Sequence, residues 1–264
     1  MAFSEMPSPR IESGRSSFKV LAVVAVTVVL VSVSASVGIV AFVNRPELVE
    51  ADYFLPPKDF SNLISLVSES VVRIECDFGL RGGVGTGFAL NVANYSSGYT
   101  TAIITNYHVI RNCHENFGRL RVFHGAQRVE SLSPKIRATD EGNDLALIEL
   151  RDSIPALVRV TRPVEVGWWS MAVGNPRSIN PDDLGDPLGV VLDNNVSVGI
   201  ITSVIGTRWN YTSATINRGN SGGPLVNNRG ELIGINTLGS TNDEVGLWNI
   251  AVNSEIIFEN LLKR

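Results

Sequence analysis

Apolar residues follow two patterns along this chain. From Val20 to Val43, 24 consecutive positions carry no charge. Beyond about residue 62 the apolar runs become short and β-branched, with Gly, Asn, Asp and Pro between them. Val71–Cys76, Gly87–Leu90, Ala102–Thr105, Leu145–Ile148, Met171–Val173, Ser197–Ile205 and Leu232–Ile235 are such runs. Their length and the turn signals around them predict strands and an all-β domain. Helices are predicted only over residues 61–69 and 254–263. In the second, Ser254 stands at a capping position and Ile257 and Leu261 repeat at i, i+4.

The first run is long enough to cross a bilayer. At about 1.5 Å per residue a helix over 20–43 exceeds a ~30 Å hydrocarbon core. Arg10, Arg15 and Lys19 precede it and Arg45 alone follows closely. That asymmetry predicts a single-pass anchor with residues 1–19 in the cytoplasm and the rest outside. Val33-Ser34-Ala35 offers a rival reading as a signal-cleavage site followed by secretion. The apolar run continues past it to Val43, which favours the anchor. Residues 44–61, with three prolines and mixed charges, read as a spacer. Tyr53 and Phe54 within it are candidates for an interfacial or oligomerisation contact, or for packing on the domain.

Composition narrows the function. A net charge of −4, with both signs dispersed, points to no nucleic-acid surface. No repeat or phosphate-binding loop is present, and no cofactor is expected. The remaining ~200 residues suffice for one two-layered domain. Cys76 and Cys113 are the two cysteines, and a disulfide between them or two buried thiols both stay open. Asn94, Asn195 and Asn210 begin sequons, which imply surface-compatible turns.

The candidate chemistry lies near the C-terminus, in Gly-Asn-Ser-Gly-Gly-Pro-Leu (219–225). A serine hydroxyl is a weak nucleophile that needs a base for its proton and donors for the oxyanion it creates. Small neighbours of Ser221 let a carbonyl approach and leave backbone N–H groups free. The pattern fits both the elbow of α/β-hydrolases and the serine loop of trypsin-like proteases. Chain order separates them. The elbow type places its histidine after the serine, whereas His108, His114 and His124 all precede Ser221. A His…Asp…Ser order remains.

His108 ends the β-branched stretch Thr-Ala-Ile-Ile-Thr-Asn-Tyr-His (101–108), which predicts a buried strand delivering it. Alone it would read as a core histidine; the downstream serine loop reverses that. His114 sits in a polar, turn-like stretch and His124 before Gly125, and the spacings of the three match no zinc pattern, so no metal site is expected. Asp144 stands at the start of Asp-Leu-Ala-Leu-Ile (144–148), where its carboxylate turns inward. Asp140, Glu141, Glu149 and Asp152 read as solvated charges.

Gly-Thr-Gly-Phe-Ala-Leu (85–90), Thr-Asn-Tyr-His-Val (105–109), Asp-Leu-Ala-Leu-Ile (144–148), Ala-Val-Gly-Asn-Pro (172–176) and Ile-Asn-Arg-Gly-Asn-Ser-Gly-Gly-Pro-Leu (216–225), with Gly-Glu-Leu-Ile-Gly-Ile-Asn-Thr (230–237), resemble trypsin-like serine proteases of the HtrA/Deg branch. The resemblance covers roughly residues 62–262. It implies a chymotrypsin-like fold of two antiparallel six-stranded barrels, about 62–155 and 165–252, with the site between them. It also implies His108 as general base, Asp144 as its orienting acid, Ser221 as nucleophile, and the N–H groups of Gly219 and Ser221 as the oxyanion hole. The expected activity is a membrane-anchored serine endopeptidase acting on protein or peptide substrates by an acyl-enzyme, in quality control or regulated proteolysis. The alternative is a catalytically silent binding or scaffold protein. An intact triad weighs against it.

The chain departs from that family's pattern. It stops at Arg264, where such proteins carry a PDZ domain, and Pro224 stands where many have Ala. Asn220 cannot form the ion pair that an Asp makes in zymogen-activated relatives, which implies competence set by loop order. Residues 177–195 are long and acidic, with Asp182, Asp183, Asp186 and Asp193. By the same likeness Ser213 and Thr215 lie near the base of the primary specificity pocket. Thr237, Leu238 and Gly239 form the strand that binds substrate backbone. None is acidic, which predicts small-to-medium apolar residues before the scissile bond.

Overall fold

The computed structural model describes residues 51–78, 81–176, 191–237 and 249–262. The apolar run at 20–43 lies outside them, as do most of the acidic loop and both Leu238 and Gly239. Among the described residues no helix is long and apolar enough to cross a membrane.

Among the described residues, thirteen strands form two sheets. The first contains β1 (Val71–Phe78), β2 (Arg81–Leu90), β3 (Thr101–Thr105), β4 (Arg119–His124), β5 (Val129–Glu130), β6 (Lys135–Asp140) and β7 (Leu145–Leu150). The second contains β8 (Trp169–Gly174), β9 (Asn195–Ile205), β10 (Trp209–Thr212), β11 (Pro224–Val226), β12 (Leu232–Thr237) and β13 (Asn249–Asn253). Its six strands close into a barrel in the order β10-β13-β12-β11-β8-β9. Antiparallel pairing runs throughout both sheets.

The first sheet departs from the six-stranded barrel expected over about 62–155. It has seven strands, ordered β5-β4-β1-β2-β3-β7-β6, and is open between β5 and β6. Those two edges are successive pieces of one stretch of chain, interrupted at residues 131–134. The β4–β5 pairing extends to Ser131, whose backbone N–H donates to Val122 O at 2.8 Å, and Pro134 has no N–H to offer a ladder. The strand that would close the barrel is therefore broken in two.

Why the strands read as continuous apolar runs is clear from where alternate residues go. Side chains on a strand point to opposite faces with a period of two. Val72, Ile74, Ile103, Ala146 and Ile148 join one buried cluster within the first sheet. Their neighbours Val71, Ala102, Ile104, Leu145 and Leu147 join another, which also takes Met171, Val173, Val226 and Leu232 from the barrel. Ala172, Ile201, Leu225 and Ile233 fill the barrel itself. Both faces are covered, so no polar alternation is needed.

Three helices complete the unit. The first, α1 (Phe60–Ser68), is capped by Asp59, whose side chain accepts the Asn62 N–H at 2.9 Å. The polar stretch expected as a turn around His114 is instead α2 (Tyr107–Glu115). The last, α3 (Ser254–Asn260), is capped by Asn253 and not by Ser254, which is its first, buried residue. The chain is already packed on the barrel from Tyr53, well inside the expected spacer. Tyr53 is buried and stacks on Trp168 with ring centroids 4.3 Å apart. Phe54 stays largely exposed.

Cys76 of β1 and Cys113 of α2 are disulfide-bonded across a sequence separation of 37. Closing a loop of that size stabilises by restricting the unfolded chain. Replacing both cysteines by alanine should cost between about 3 and 5 kcal/mol in urea unfolding. An unchanged midpoint would show that the bond contributes nothing.

Two expectations are corrected here. Asn210 lies fully buried in β10 with its Nδ2 donating to Ile233 O at 2.8 Å, so that sequon is closed to modification in the fold. Glu149 does not face water. It is fully buried, and its Oε1 accepts the Ser96 N–H at 2.8 Å and Arg137 Nη1 at 2.9 Å. Burial pushes its pKa up, but the Ser96 hydrogen bonds and the Arg137 guanidinium outweigh burial and hold the group below its ordinary 4.5. Its stabilisation is therefore complete at neutral pH and is lost as pH falls through 4.5 and below. Arg137→Ala should lower stability at pH 7 by about 3 kcal/mol, because it strands a buried carboxylate. The gap between variant and wild type should narrow on acidification, and a gap independent of pH would contradict this assignment.

Candidate active site

His108 enters the site on the first turn of α2, directly after β3. The strand therefore delivers it by way of a helix and not at its own end. Asn106 stands at the helix N-cap with extended backbone (φ −75°, ψ 146°). Tyr107, Ile110 and Cys113, spaced by three, turn inward and fix the face on which His108 is presented. Tyr107 braces the far end, its hydroxyl donating to Glu115 Oε1 at 2.7 Å. That bond is the main reason its phenol pKa is pushed up to about 12.

Asp144 meets His108 at two points. Oδ1 accepts the His108 backbone N–H at 2.9 Å, and Oδ2 lies 2.8 Å from the ring Nδ1. A carboxylate can only accept, so the proton sits on Nδ1 and Nε2 keeps its lone pair. The Thr237 hydroxyl also donates to Oδ2, at 3.3 Å. Asp144 adopts left-handed backbone (φ 55°, ψ 47°) after a short helical turn, Glu141–Asn143. Asn106 Nδ2 holds its carbonyl at 2.9 Å. His114 stacks edge-on against Tyr107 within the same helix, away from this arrangement. His124 lies 3.6 Å from Asp152 on another strand end. Among the described residues no group of His, Cys, Asp and Glu converges as a metal site.

Ser221 comes from the barrel, on the connection between β10 and β11. Two close approaches hold that connection, Gly222 against the first sheet and Gly223 against the barrel's own β8. A Cβ on Gly222 would stand 2.2 Å from Thr105 Oγ1 and from Thr86 O, and 3.0 Å from Asn106 N. One on Gly223 would stand 2.2 Å from Val173 O. Room for backbone thus explains these glycines as well as room for a substrate carbonyl. Ser221 is nearly buried. Among the described residues no hydrogen bond joins its hydroxyl to the His108 ring, a contact that often tightens only around substrate.

Around the serine, Asn220 N donates to Asn217 O at 3.0 Å, Gly222 N to Asn236 O at 2.8 Å and Gly223 N to Asn220 O at 2.9 Å. Gly219 N and Ser221 N have no acceptor among the described residues. Gly219 has φ 100°, a conformation that glycine adopts freely. Asn220 is buried beside Gly174 with its Oδ1 unpartnered. Of the pocket candidates, Ser213 and Thr215 are exposed. The Ser213 hydroxyl accepts Ile200 N at 2.9 Å, and Thr215 N donates to Ser197 Oγ at 2.7 Å. Asp193, from the acidic segment, pairs with Arg73 at 3.3 Å and with Arg128, on the first sheet's surface.

Known proteins share this arrangement of chain. The serine protease HhoA of Synechocystis is 35% identical over 59% of this chain and 36% of its own length. The endoprotease DegS of Haemophilus influenzae is 29% identical over 87% of this chain and 67% of its own. The chain spans about a third of the length of several such relatives. Among solved structures, Deg5 superposes with a TM-score of 0.58 at 27% identity, covering 75% of this chain and 90% of Deg5. A serine endoprotease from Yersinia pestis gives 0.59 at 25%, covering 78% of this chain and 66% of its own. The family described as trypsin-like peptidase domain matches residues 85–235, more than half of the sequence. With relatives of HtrA/Deg type on every side, the chain belongs to the trypsin-like peptidase family.

Proposed function

We propose that the chain is a serine endopeptidase that cleaves protein substrates through an acyl-enzyme on Ser221. The observation that carries this is the two-point His108–Asp144 contact on the first sheet, packed against a serine loop whose Gly219 and Ser221 N–H groups have no acceptor among the described residues. His108 Nε2 takes the Ser221 proton as Oγ attacks the substrate carbonyl, and Asp144 stabilises the imidazolium that results. The oxyanion is received by Gly219 N–H and Ser221 N–H. Collapse expels the amine, which leaves with the proton from His108. Water then repeats the sequence on the ester and frees Ser221.

Ser213, Thr215 and Thr237, with Leu238 and Gly239, border the primary pocket in this reading. Without an acidic group among them, small-to-medium apolar side chains are the preferred occupants. Residues 20–43 hold the enzyme to a membrane with the catalytic unit outside. Relatives described as probable periplasmic endoproteases support that side. Protein quality control or regulated cleavage fits such a location.

The test is digestion of an unfolded protein by the full chain, with fragments sequenced by mass spectrometry. Internal cuts following Val, Ala or similar residues are expected. Stepwise trimming from one end, or a substrate bound but intact, would overturn the endopeptidase reading.

A further inference from the structure

We infer that Thr86 is the positioning residue of the oxyanion hole, acting from the first sheet on a loop that belongs to the barrel. This rests on the serine-endopeptidase reading above. β3 pairs with β2 at Phe88, Ala89 and Leu90. At Thr86 that edge of β2 takes the serine loop as its neighbour. Thr86 N donates to Ser221 O at 2.9 Å, and Thr86 Oγ1 lies 2.6 Å from Gly219 O.

The direction of the second bond is fixed by counting. A hydroxyl has one proton and two acceptor sites. Both Asn175 N, at 2.9 Å, and Asn175 Nδ2, at 3.3 Å, donate to Thr86 Oγ1. Its one proton is left for Gly219 O. Thr86 is itself fully buried. Gly85 and Gly87 let β2 pack closely on the far side, against α2 and the first sheet's own core. A Cβ on either would stand within 2.6 Å of Val109 or Ile103 side-chain atoms.

The consequence is an alternation along the serine loop. The peptide joining 219 to 220 is held at its oxygen by Thr86 and at its N–H by Asn217 O. The peptide joining 221 to 222 is held at its oxygen by Thr86 N and at its N–H by Asn236 O. The N–H groups of the peptides preceding residues 219 and 221 are left to face substrate. Thr86 thus supplies the oxygen-side restraint on the 219–220 and 221–222 peptides, one through its side chain and one through its backbone, while Gly223 N holds the oxygen of the peptide between them. Gly219 has no Cβ to resist rotation once the hydroxyl is removed.

Thr86→Val keeps the volume and removes the hydroxyl. In the full chain it should lower kcat about 10²-fold, as loss of an oxyanion donor does, with KM little changed. Affinity for a peptide boronate, which mimics the tetrahedral species, should fall in parallel. Thr86→Ser should restore both, and Thr86→Ala carries the valine expectation if valine does not fold. Full activity in the hydroxyl-free variants, or equal losses in the serine and valine variants, would overturn the assignment. Ser221→Ala is run alongside: residual cleavage there would sink the protease reading itself, whereas a silent Ser221→Ala beside a fully active Thr86→Val would overturn Thr86 alone.

Discussion

Ser221→Ala should abolish turnover, by about a million-fold if the three residues act as a unit. The loss concerns chemistry and not folding. Ser221 is held through its backbone carbonyl by Thr86 N, while its hydroxyl makes no hydrogen bond among the described residues. Thermal unfolding of the variant should therefore match wild type within measurement error. Cys113, on the helix that carries His108, is tied to Cys76 and offers no thiolate. Peptide cleavage retained by the purified alanine variant would show that the assignment of Ser221 is wrong.

Asp144→Asn has the next largest expected effect, a loss of roughly 10⁴-fold in kcat. The carboxylate now accepts on both oxygens, from the His108 backbone and from the ring. An amide can accept on one side only. If its oxygen faces the backbone N–H, its NH₂ faces Nδ1, which must then give up its proton. The lone pair moves off Nε2, and the base is lost. The fold should survive, because Asn tolerates the left-handed backbone of residue 144 (φ 55°). An unimpaired rate would place the acid elsewhere. Glu149 could not replace it, being engaged by Arg137 and Ser96.

The contrast between what could be read in the chain and what could not follows range of interaction. Strands such as β3, β7, β8 and β12 were legible because they are buried on both faces and so carry unbroken apolar runs. His108, Asp144 and Ser221 could be singled out as candidates because residue order and local glycines are sequence properties. The helix that carries His108 was not, since Arg111, Asn112, His114 and Glu115 make the stretch look like a loop. Its Tyr107–Ile110–Cys113 spacing was the available signal. The burial of Glu149 depends on Ser96, 53 residues away, and on a guanidinium from a neighbouring strand. Thr86 was visible as part of a Gly-Thr-Gly motif, but its partner Gly219 lies 133 residues on. No local pattern reports such a pair. The seam of the first sheet falls at residues 131–134, which include Pro134 and which the strand spacing passes over.

The account's central claim is an activated nucleophile at Ser221, and covalent labelling tests it most directly. The full chain and its Ser221→Ala variant would be treated with a fluorophosphonate, and the adduct located by mass spectrometry. A single phosphonylated residue, Ser221, in wild type and none in the variant is the predicted result. Labelling at another residue, or none in folded wild-type protein even with an unfolded substrate present, would contradict it.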